Sequence, residues 1–268
     1  MTSLREVVKA RTPIKEELKM EFQNKTVLIT GGASGMGYLC GQCYAKEGAK
    51  VVLVDVNREA LDKCVAEIAA YPAEVMGVCI DIRDYSKVVE ARDMAVERFG
   101  SIDILVNCAG GAETRVCNAH GEFHQNPIDI YDFSIDVNLK GAIYFDHAVM
   151  AQMAEQKSGV IIHMGSITGE EGGSTNVGYA ASKSALMNGV TKSIAQLGAK
   201  YNVRSVCIAP GPVLTRPGMA SMKTMAGRAA DPQEIVDMIL YVTSKKGEFI
   251  NGTTFLIDGG RNVMFNKG

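Results

Sequence analysis

The sequence predicts a doubly wound parallel α/β sheet, one domain of about seven strands with helices on both faces. Three observations carry that prediction. Short apolar runs rich in Val and Ile, bounded by Gly, Asn or Asp, recur along the chain and are too short to be helices. Stretches with helical periodicity separate them, and no linker, low-complexity tract or internal repeat breaks the series. The length of 268 residues is enough to bury a large core and still falls within the range of one α/β domain.

In chain order, residues 1–22 are charged, carry Pro13, and read as an N-terminal extension, a loose helical arm suited to surface or oligomer contact. The catalytic domain is expected to span 23–268. Its strands are expected at 27–29, 51–54, 75–80, 102–106, 160–162, 203–209 and 253–257. Continuous rather than alternating apolar character means that both faces of each strand are covered. Helices are expected near 35–48, 57–70, 84–99, 127–156, 178–200 and 231–244. Right-handed crossovers between parallel strands then give the doubly wound arrangement.

Composition excludes several classes of function. Apolar residues make up 47% and charged residues 22%, which argues against wholesale disorder. The net charge of −2 recommends neither nucleic acid nor an anionic membrane as a partner. No run of 18 apolar residues is present to span a bilayer. The first twenty residues lack an apolar core, and Glu6, Glu16 and Glu17 interrupt the basic residues, so a cytoplasmic location is expected. Several of the seven cysteines lie in apolar runs and read as reduced core residues. Cys40 and Cys43 have C-x-x-C spacing but fall within a helix, with no second pair. His120 and His124 flank Glu122 in a segment read as a loop, so no metal site is expected. Neither G-x-S-x-G nor H-E-x-x-H occurs, which leaves hydrolase and metalloprotease readings without support.

The chemistry-bearing motif begins where the first strand runs into Thr30-Gly31-Gly32-Ala33-Ser34-Gly35-Met36-Gly37. A strand, a glycine-rich turn and a helix start make a pyrophosphate site. Glycines let the backbone approach the anion, and the helix N-terminus offers free N–H groups and a positive dipole end. The Lys-Ser/Thr of a P-loop is missing, which argues against phosphoryl transfer. Asp55 ends the second strand, where a carboxylate accepts hydrogen bonds from adenosine ribose hydroxyls. The same carboxylate repels a 2′-phosphate by roughly 4 kcal/mol at 4 Å and an effective dielectric of about 20. NAD is therefore the expected cofactor over NADP.

Tyr179 and Lys183 lie four apart on an expected helix and share a face. The pattern is poor by itself, since Tyr241 and Lys245 repeat it. Context separates them: Ser166 stands just past a strand, thirteen positions before Tyr179, whereas Arg228 occupies that place before Tyr241. Hydride transfer to a carbonyl leaves alkoxide charge on oxygen. A tyrosine can supply the proton, or take one in the oxidative direction, when a nearby cation stabilises the phenolate. The Ser166 hydroxyl is suited to hydrogen-bond the reacting oxygen.

Taken together, TGGASGMG at 30–37, Asp55, Asp81, NCAG at 107–110, Asn138, Ser166, Tyr179, Lys183, PGPVLT at 210–215 and DGG at 258–260 resemble the short-chain dehydrogenase/reductase family over residues 24–262. The resemblance implies a Rossmann-like domain, a nicotinamide cofactor, alcohol/carbonyl chemistry and a homo-oligomer, a tetramer or dimer. It implies that Asn138 holds a water linking Lys183 to solvent and that Lys183 also reaches the nicotinamide ribose. It further implies that Asp81 and Ile82 flank the adenine, and that Asn107, Ala109 and Gly110 form a wall beyond the fourth strand. Pro210, Val213 and Thr215 would line the carboxamide side. Cys108 stands where a second Asn is common.

The loops at 111–126, 167–178 and 212–230 are expected to face the substrate, a small-molecule alcohol or carbonyl compound. Arg115, His120, His124, Glu170, Glu171, Thr175 and Asn176 give them polar character, which favours a polyol, sugar or hydroxy acid. The segment from Thr215 to Asp231 is short for a lid and suggests an open or partner-completed pocket. Steroid or bile-acid alcohols and acyl-carrier 3-oxoacyl groups are alternatives. The non-enzymatic alternative is a dinucleotide-binding sensor or scaffold.

Overall fold

A computed structural model describes residues 20–265. Its seven strands are β1 (Thr26–Thr30), β2 (Lys50–Asp55), β3 (Val75–Cys79), β4 (Ile104–Asn107), β5 (Gly159–Met164), β6 (Val203–Pro210) and β7 (Thr254–Ile257). All pair in parallel in the order β3-β2-β1-β4-β5-β6-β7. The order reverses between β1 and β4, and a crevice for a ligand opens beyond the carboxyl ends of strands at such a point. Thr30 at the end of β1 lies opposite both Val54 on β2 and Asn107 on β4, so the residues that follow these strands converge on one rim.

The covering helices are α1 (Gly35–Lys46), α2 (Arg58–Ile68), α3 (Tyr85–Phe99), α4 (Glu113–Val116), α5 (Ile128–Ile135), α6 (Gly141–Gln156), α7 (Thr168–Glu171), α8 (Val177–Ala185), α9 (Thr191–Gly198) and α10 (Pro232–Thr243). Local chemistry starts several of them. Asn57 accepts the Ala60 N–H ahead of α2, and Asp84 accepts those of Ser86 and Lys87 ahead of α3. Asp231 and Glu234 form a reciprocal capping box at α10. Each such cap is worth about 1 kcal/mol.

Two apolar layers sandwich the sheet, one joining Ile29, Leu53, Tyr44, Leu61 and Ile239, the other Leu28, Val52, Leu105, Phe145 and Ile161. Alternate residues of β1 therefore point into opposite layers, which is why Val27, Leu28 and Ile29 are all apolar. Phe22, the last residue of the expected extension, packs edge-on against Tyr44 with ring centroids 4.8 Å apart. Residues 1–19 of that extension lie outside the described residues.

The long helices expected at 127–156 and 178–200 are each interrupted by a wide turn. A π turn at Asp136–Lys140 separates α5 from α6, and another at Leu186–Val190 separates α8 from α9. Side-chain hydroxyls take up two carbonyls of the second turn. Thr191 Oγ1 donates to the Leu186 carbonyl at 2.7 Å, and Thr254 Oγ1 to that of Met187 at 2.6 Å. Segments 111–126 and 167–178, expected as plain loops, contain the one-turn helices α4 and α7.

Candidate active site

The glycine turn after β1 is packed where the backbone must be bare. Gly31 has φ +65°, and a Cβ there would meet the Ala109 backbone at 2.8 Å. Gly37 lies against the Gly31 carbonyl, so a side chain on it would collide with the turn. Gly35, at φ +52°, has no atom within 4 Å of a Cβ position, so the turn's outer side is open. Ser34 starts α1 without a side-chain cap, and no acidic residue lies in the first turn, which leaves the helix N–H groups unclaimed by side chains. Met36 is partly buried in the core layer below. Asp55 is bound to the turn: Oδ2 accepts the Ala33 N–H and Oδ1 that of Asn57, both at 3.0 Å. A glycine cradle, free helix N–H groups and a carboxylate at the next strand end fit a dinucleotide.

Beyond β4, the Ala109 N–H donates to Thr30 Oγ1 at 3.1 Å and ties the wall to the turn. Asn107 is turned inward and donates to Asp146 Oδ1 at 2.9 Å. Asp146 Oδ2 lies 2.8 Å from His163 Nε2, and His163 Nδ1 lies 2.9 Å from Thr191 Oγ1. This fully buried chain of polar groups, invisible in the sequence, braces the wall from beneath and joins β4, α6, β5 and α9. Gly110, at φ +137°, sits against Asn138. Asp81 chelates Arg83, with Nε 2.9 Å from Oδ2, and the hydrogen-bonded guanidinium holds the carboxyl below its usual range. Ile82 is buried against Gly141. Pro210 ends β6 with its carbonyl accepting the Ile167 N–H at 2.8 Å, Val213 pairs with Ala230, and Thr215 is exposed.

Ser166, Tyr179, Lys183 and Asn138 gather on this same rim. Ser166 follows β5, nearly buried, and its Oγ accepts the Thr168 N–H at 3.1 Å. Lys183 is buried and donates to the Met164 carbonyl at 2.7 Å, with its ammonium 5.5 Å from the Tyr179 ring centroid. The ammonium is thus anchored on the strand that delivers Ser166 while facing the ring of Tyr179. The Asn138 side chain is committed to the wall: Oδ1 accepts the Gly111 N–H at 2.9 Å, and Nδ2 donates to the carbonyls of Gly111 and Ser134 at 3.0 and 2.9 Å. It lies in the first π turn, a distortion frequent at functional sites.

Sequence reasoning missed Glu113. It is fully buried on α4, and its Oε1 accepts the Tyr179 N–H at 2.8 Å. Asn176 begins α8 without capping it; its Oδ1 accepts the Thr114 N–H of α4 at 3.3 Å instead. The two helices therefore cap each other. A carboxylate at a helix N-terminus contributes up to about 2 kcal/mol when partly buried. The only trace in sequence is an acidic residue three positions past Gly110, in a segment without periodicity.

The cysteines face different partners. A hydrogen bond to Cys108 and burial push the Cys40 thiol up, while Cys43 faces Gln233. Burial pushes Cys207, beside Gly165, up to about 11, despite the opposing pull of Lys183. His120 lies 3.0 Å from Asn118, and His124 3.6 Å from Glu122. Among the described residues no group of three His, Cys, Asp or Glu is placed to hold a metal ion.

Comparison with known proteins agrees with this geometry. The family model described as short chain dehydrogenase matches residues 25–226. The chain is 32% identical to the 3-oxoacyl-acyl-carrier-protein reductase of Thermotoga maritima, covering 90% of this chain and 99% of that one. It is 31% identical to the 7alpha-hydroxysteroid dehydrogenase of Bacteroides fragilis, covering 90% and 96%. The crystal structure of NAD+-bound xylitol dehydrogenase superposes with a TM-score of 0.83 at 26% identity, covering 90% of this chain and all of that one. With the matched segment running from β1 through the glycine turn, the Ser166–Tyr179–Lys183 cluster and the loop after β6, this chain belongs to the short-chain dehydrogenase family.

Proposed function

We propose that this protein is an NAD-dependent oxidoreductase that interconverts a secondary alcohol and its ketone, with Tyr179 as general acid and base. The observation that carries this reading is the buried Lys183 ammonium, fixed on the end of β5 and facing the Tyr179 ring. Gly31, Ser34, Gly35, Met36, Gly37 and Asp55 would hold the adenosine and pyrophosphate, with Asp81, Ile82, Ala109 and Gly110 along the adenine and ribose side. Pro210, Val213 and Thr215 would line the carboxamide. The oxidised nicotinamide, when bound, accepts the hydride, two electrons with one hydrogen, from the alcohol carbon.

In oxidation the hydroxyl proton passes to the Tyr179 oxygen and on to solvent, leaving a carbonyl; reduction runs the same path backwards. Ser166 donates to the reacting oxygen and stabilises its charge. Lys183 keeps a positive charge against the Tyr179 ring. Asn138 holds the wall at Gly111, and a water linking Lys183 to solvent would use main-chain groups here, because the Asn138 side chain is already paired. For the cofactor, Asp55 disfavours a 2′-phosphate, and Arg58, the nearest following cation, pairs with Asp62 at 3.4 Å. The polar rim favours a polyol, sugar or hydroxy acid. A dimer or tetramer in the cytoplasm completes the reading, and exposed Ile128, Ile143 and Leu197 supply apolar surface for assembly.

The test is NADH formation monitored by absorbance over an alcohol panel, with NAD and NADP compared. Turnover that prefers NAD, lost in Tyr179→Phe, supports the reading. Cofactor binding with no turnover of any alcohol or ketone would favour a sensor or scaffold. A wild-type preference for NADP would overturn the Asp55 argument. Asp55→Ala is expected to narrow the NAD/NADP preference by at least about tenfold, given a repulsion on the order of 4 kcal/mol.

A further inference from the structure

Three segments leave the carboxyl ends of β5, β6 and β7, and one guanidinium joins them. Arg261 opens the 3-10 turn Arg261–Val263 just past β7. Its Nε and Nη2 both lie 3.2 Å from Oε2 of Glu171, the last residue of α7, which follows Ser166 after β5. Its Nη1 donates to the Lys223 carbonyl at 3.0 Å, in the segment after β6. Only 11% of the Arg261 side chain and 16% of that of Glu171 are exposed, so this pair is sealed from water where the Arg228–Glu234 pair on the same segment is open to it. A pair shielded in this way holds its geometry, whereas exposed pairs contribute little.

The backbone around Arg261 is built to receive the segment after β6. Asp258 shapes the turn: Oδ1 accepts the Gly260 N–H at 2.9 Å and Oδ2 the Asn262 N–H at 2.6 Å. Gly259, at φ +61°, is bare where the other segment lies on it. The Ala226 N–H donates to the Gly259 carbonyl at 2.9 Å, and a Cβ at Gly259 would meet Thr224 Cβ at 3.1 Å. Thr224 Oγ1 donates to the Arg228 carbonyl at 2.7 Å and accepts the Arg228 N–H at 3.2 Å, which closes the turn between them. At the base of the segment, the Leu214 N–H donates to the Ala230 carbonyl and the Ala230 N–H to that of Pro212, both at 2.9 Å. Residues 223–230 are therefore held at both ends, and Val213 is paired to them at Ala230. On its other side α7 lies on α8: a Cβ at Gly169 would meet the Ser184 nitrogen at 2.9 Å and the Lys183 carbonyl carbon at 3.0 Å. Contacts run unbroken from Arg261 to Val213 one way and to the backbone of Lys183 the other.

We propose that Arg261 is a positioning residue for the nicotinamide end of the cofactor: by tying Lys223 to Glu171 it holds the segment after β6 against α7 and keeps Val213 and Thr215 at the carboxamide. The proposal rests on the oxidoreductase reading above and on the place that reading gives to those two residues. It also accounts for the shortness of the segment. A loop whose returning half is fastened to the chain beyond β7 needs little length of its own to keep its place, and only residues 214–222 are left without such an anchor.

The experiment compares two ligands in the full-length protein by calorimetric titration: NADH, and ADP-ribose, which has the same adenosine and pyrophosphate but no nicotinamide. The wild type is expected to bind NADH at least about fivefold more tightly than ADP-ribose. Arg261→Leu is expected to weaken NADH alone, bringing the two Kd values within about twofold while that of ADP-ribose stays within about twofold of wild type. General damage to the fold would weaken both ligands alike, and an unchanged NADH/ADP-ribose ratio overturns the proposal. Thr224→Val loosens the same segment without stranding a charge and is expected to lower the ratio at least about twofold, so the conclusion does not depend on one variant folding. Trypsin supplies a readout without any ligand: cleavage after Lys223, identified by fragment mass, is expected to be at least about tenfold faster in Arg261→Leu, because local opening exposes that bond. An unchanged cleavage rate overturns the fastening. A wild type that binds NADH no more tightly than ADP-ribose overturns the proposal and leaves the oxidoreductase reading standing, whereas one that binds neither ligand brings down both.

Discussion

Tyr179–Lys183 and Tyr241–Lys245 have the same spacing and opposite surroundings. Lys183 is buried, its ammonium held by the Met164 carbonyl and facing the tyrosine ring, and the main chain of Tyr179 is capped by a buried carboxylate from another helix. Tyr241 is 47% exposed near the end of α10, and Lys245 lies beyond that helix in an exposed 3-10 turn. The spacing puts Tyr179 and Lys183 on one face of α8, whereas Ser244 turns extended between Tyr241 and Lys245 and ends α10 before the lysine. What turns one pair into a candidate acid–base group is the strand end that holds its lysine and the buried carboxylate that caps its helix. A four-residue motif supplies proximity, and the tertiary fold supplies electrostatics.

Substitutions put the contrast between the two pairs at risk, beginning with the strongest effect. Tyr179→Phe should lower kcat by about 10²–10⁴-fold, the scale of lost general acid–base catalysis. A variant within threefold of wild type would place the two tyrosines on an equal footing. Next, Asp146→Ala should destabilise the protein by about 1–3 kcal/mol for each buried group it strands, the Asn107 amide and the His163 ring. Urea unfolding midpoints measure this, and a loss under 1 kcal/mol would mean that the Asn107–Asp146–His163 chain does not brace the rim. Glu113→Ala should reduce kcat about tenfold by releasing the Tyr179 end of α8, whereas Glu113→Gln, which keeps an oxygen acceptor, should recover most of that loss. Equal effects of the two substitutions would discard the capping role. The smallest effect is expected from Tyr241→Phe, with kcat/KM within twofold of wild type.

Much of the fold is legible in the amino-acid sequence. All seven expected strands occur, displaced by no more than two residues at their ends, because uninterrupted Val/Ile runs have no other way to bury both faces. The order of the glycine turn, Asp55, Ser166, Tyr179 and Lys183 is legible for a related reason: each stands at or just after a strand end or helix start that periodicity marks. The two π turns are not, because residues 127–156 and 178–200 keep helical spacing throughout. The turns are tied to distant parts of the chain, Asn138 within the first reaching out to Gly111 and Thr254 reaching in to Met187 of the second. Glu113 escapes notice because a lone acidic residue in an aperiodic loop carries no signal until α8 is packed against it.

The order of residues along the chain is enough to specify the sheet, its helices and the residue types available for chemistry, since burial of apolar runs and backbone constraints at glycine act over a few residues. Which groups meet is a matter of tertiary structure alone. Packing turns Asn107 inward to Asp146 and closes Glu113 over the amide of Tyr179. The physical reason is range: hydrogen bonds and charge interactions join groups that are neighbours in space, and the spacing of residues along the chain does not record which loops will face each other.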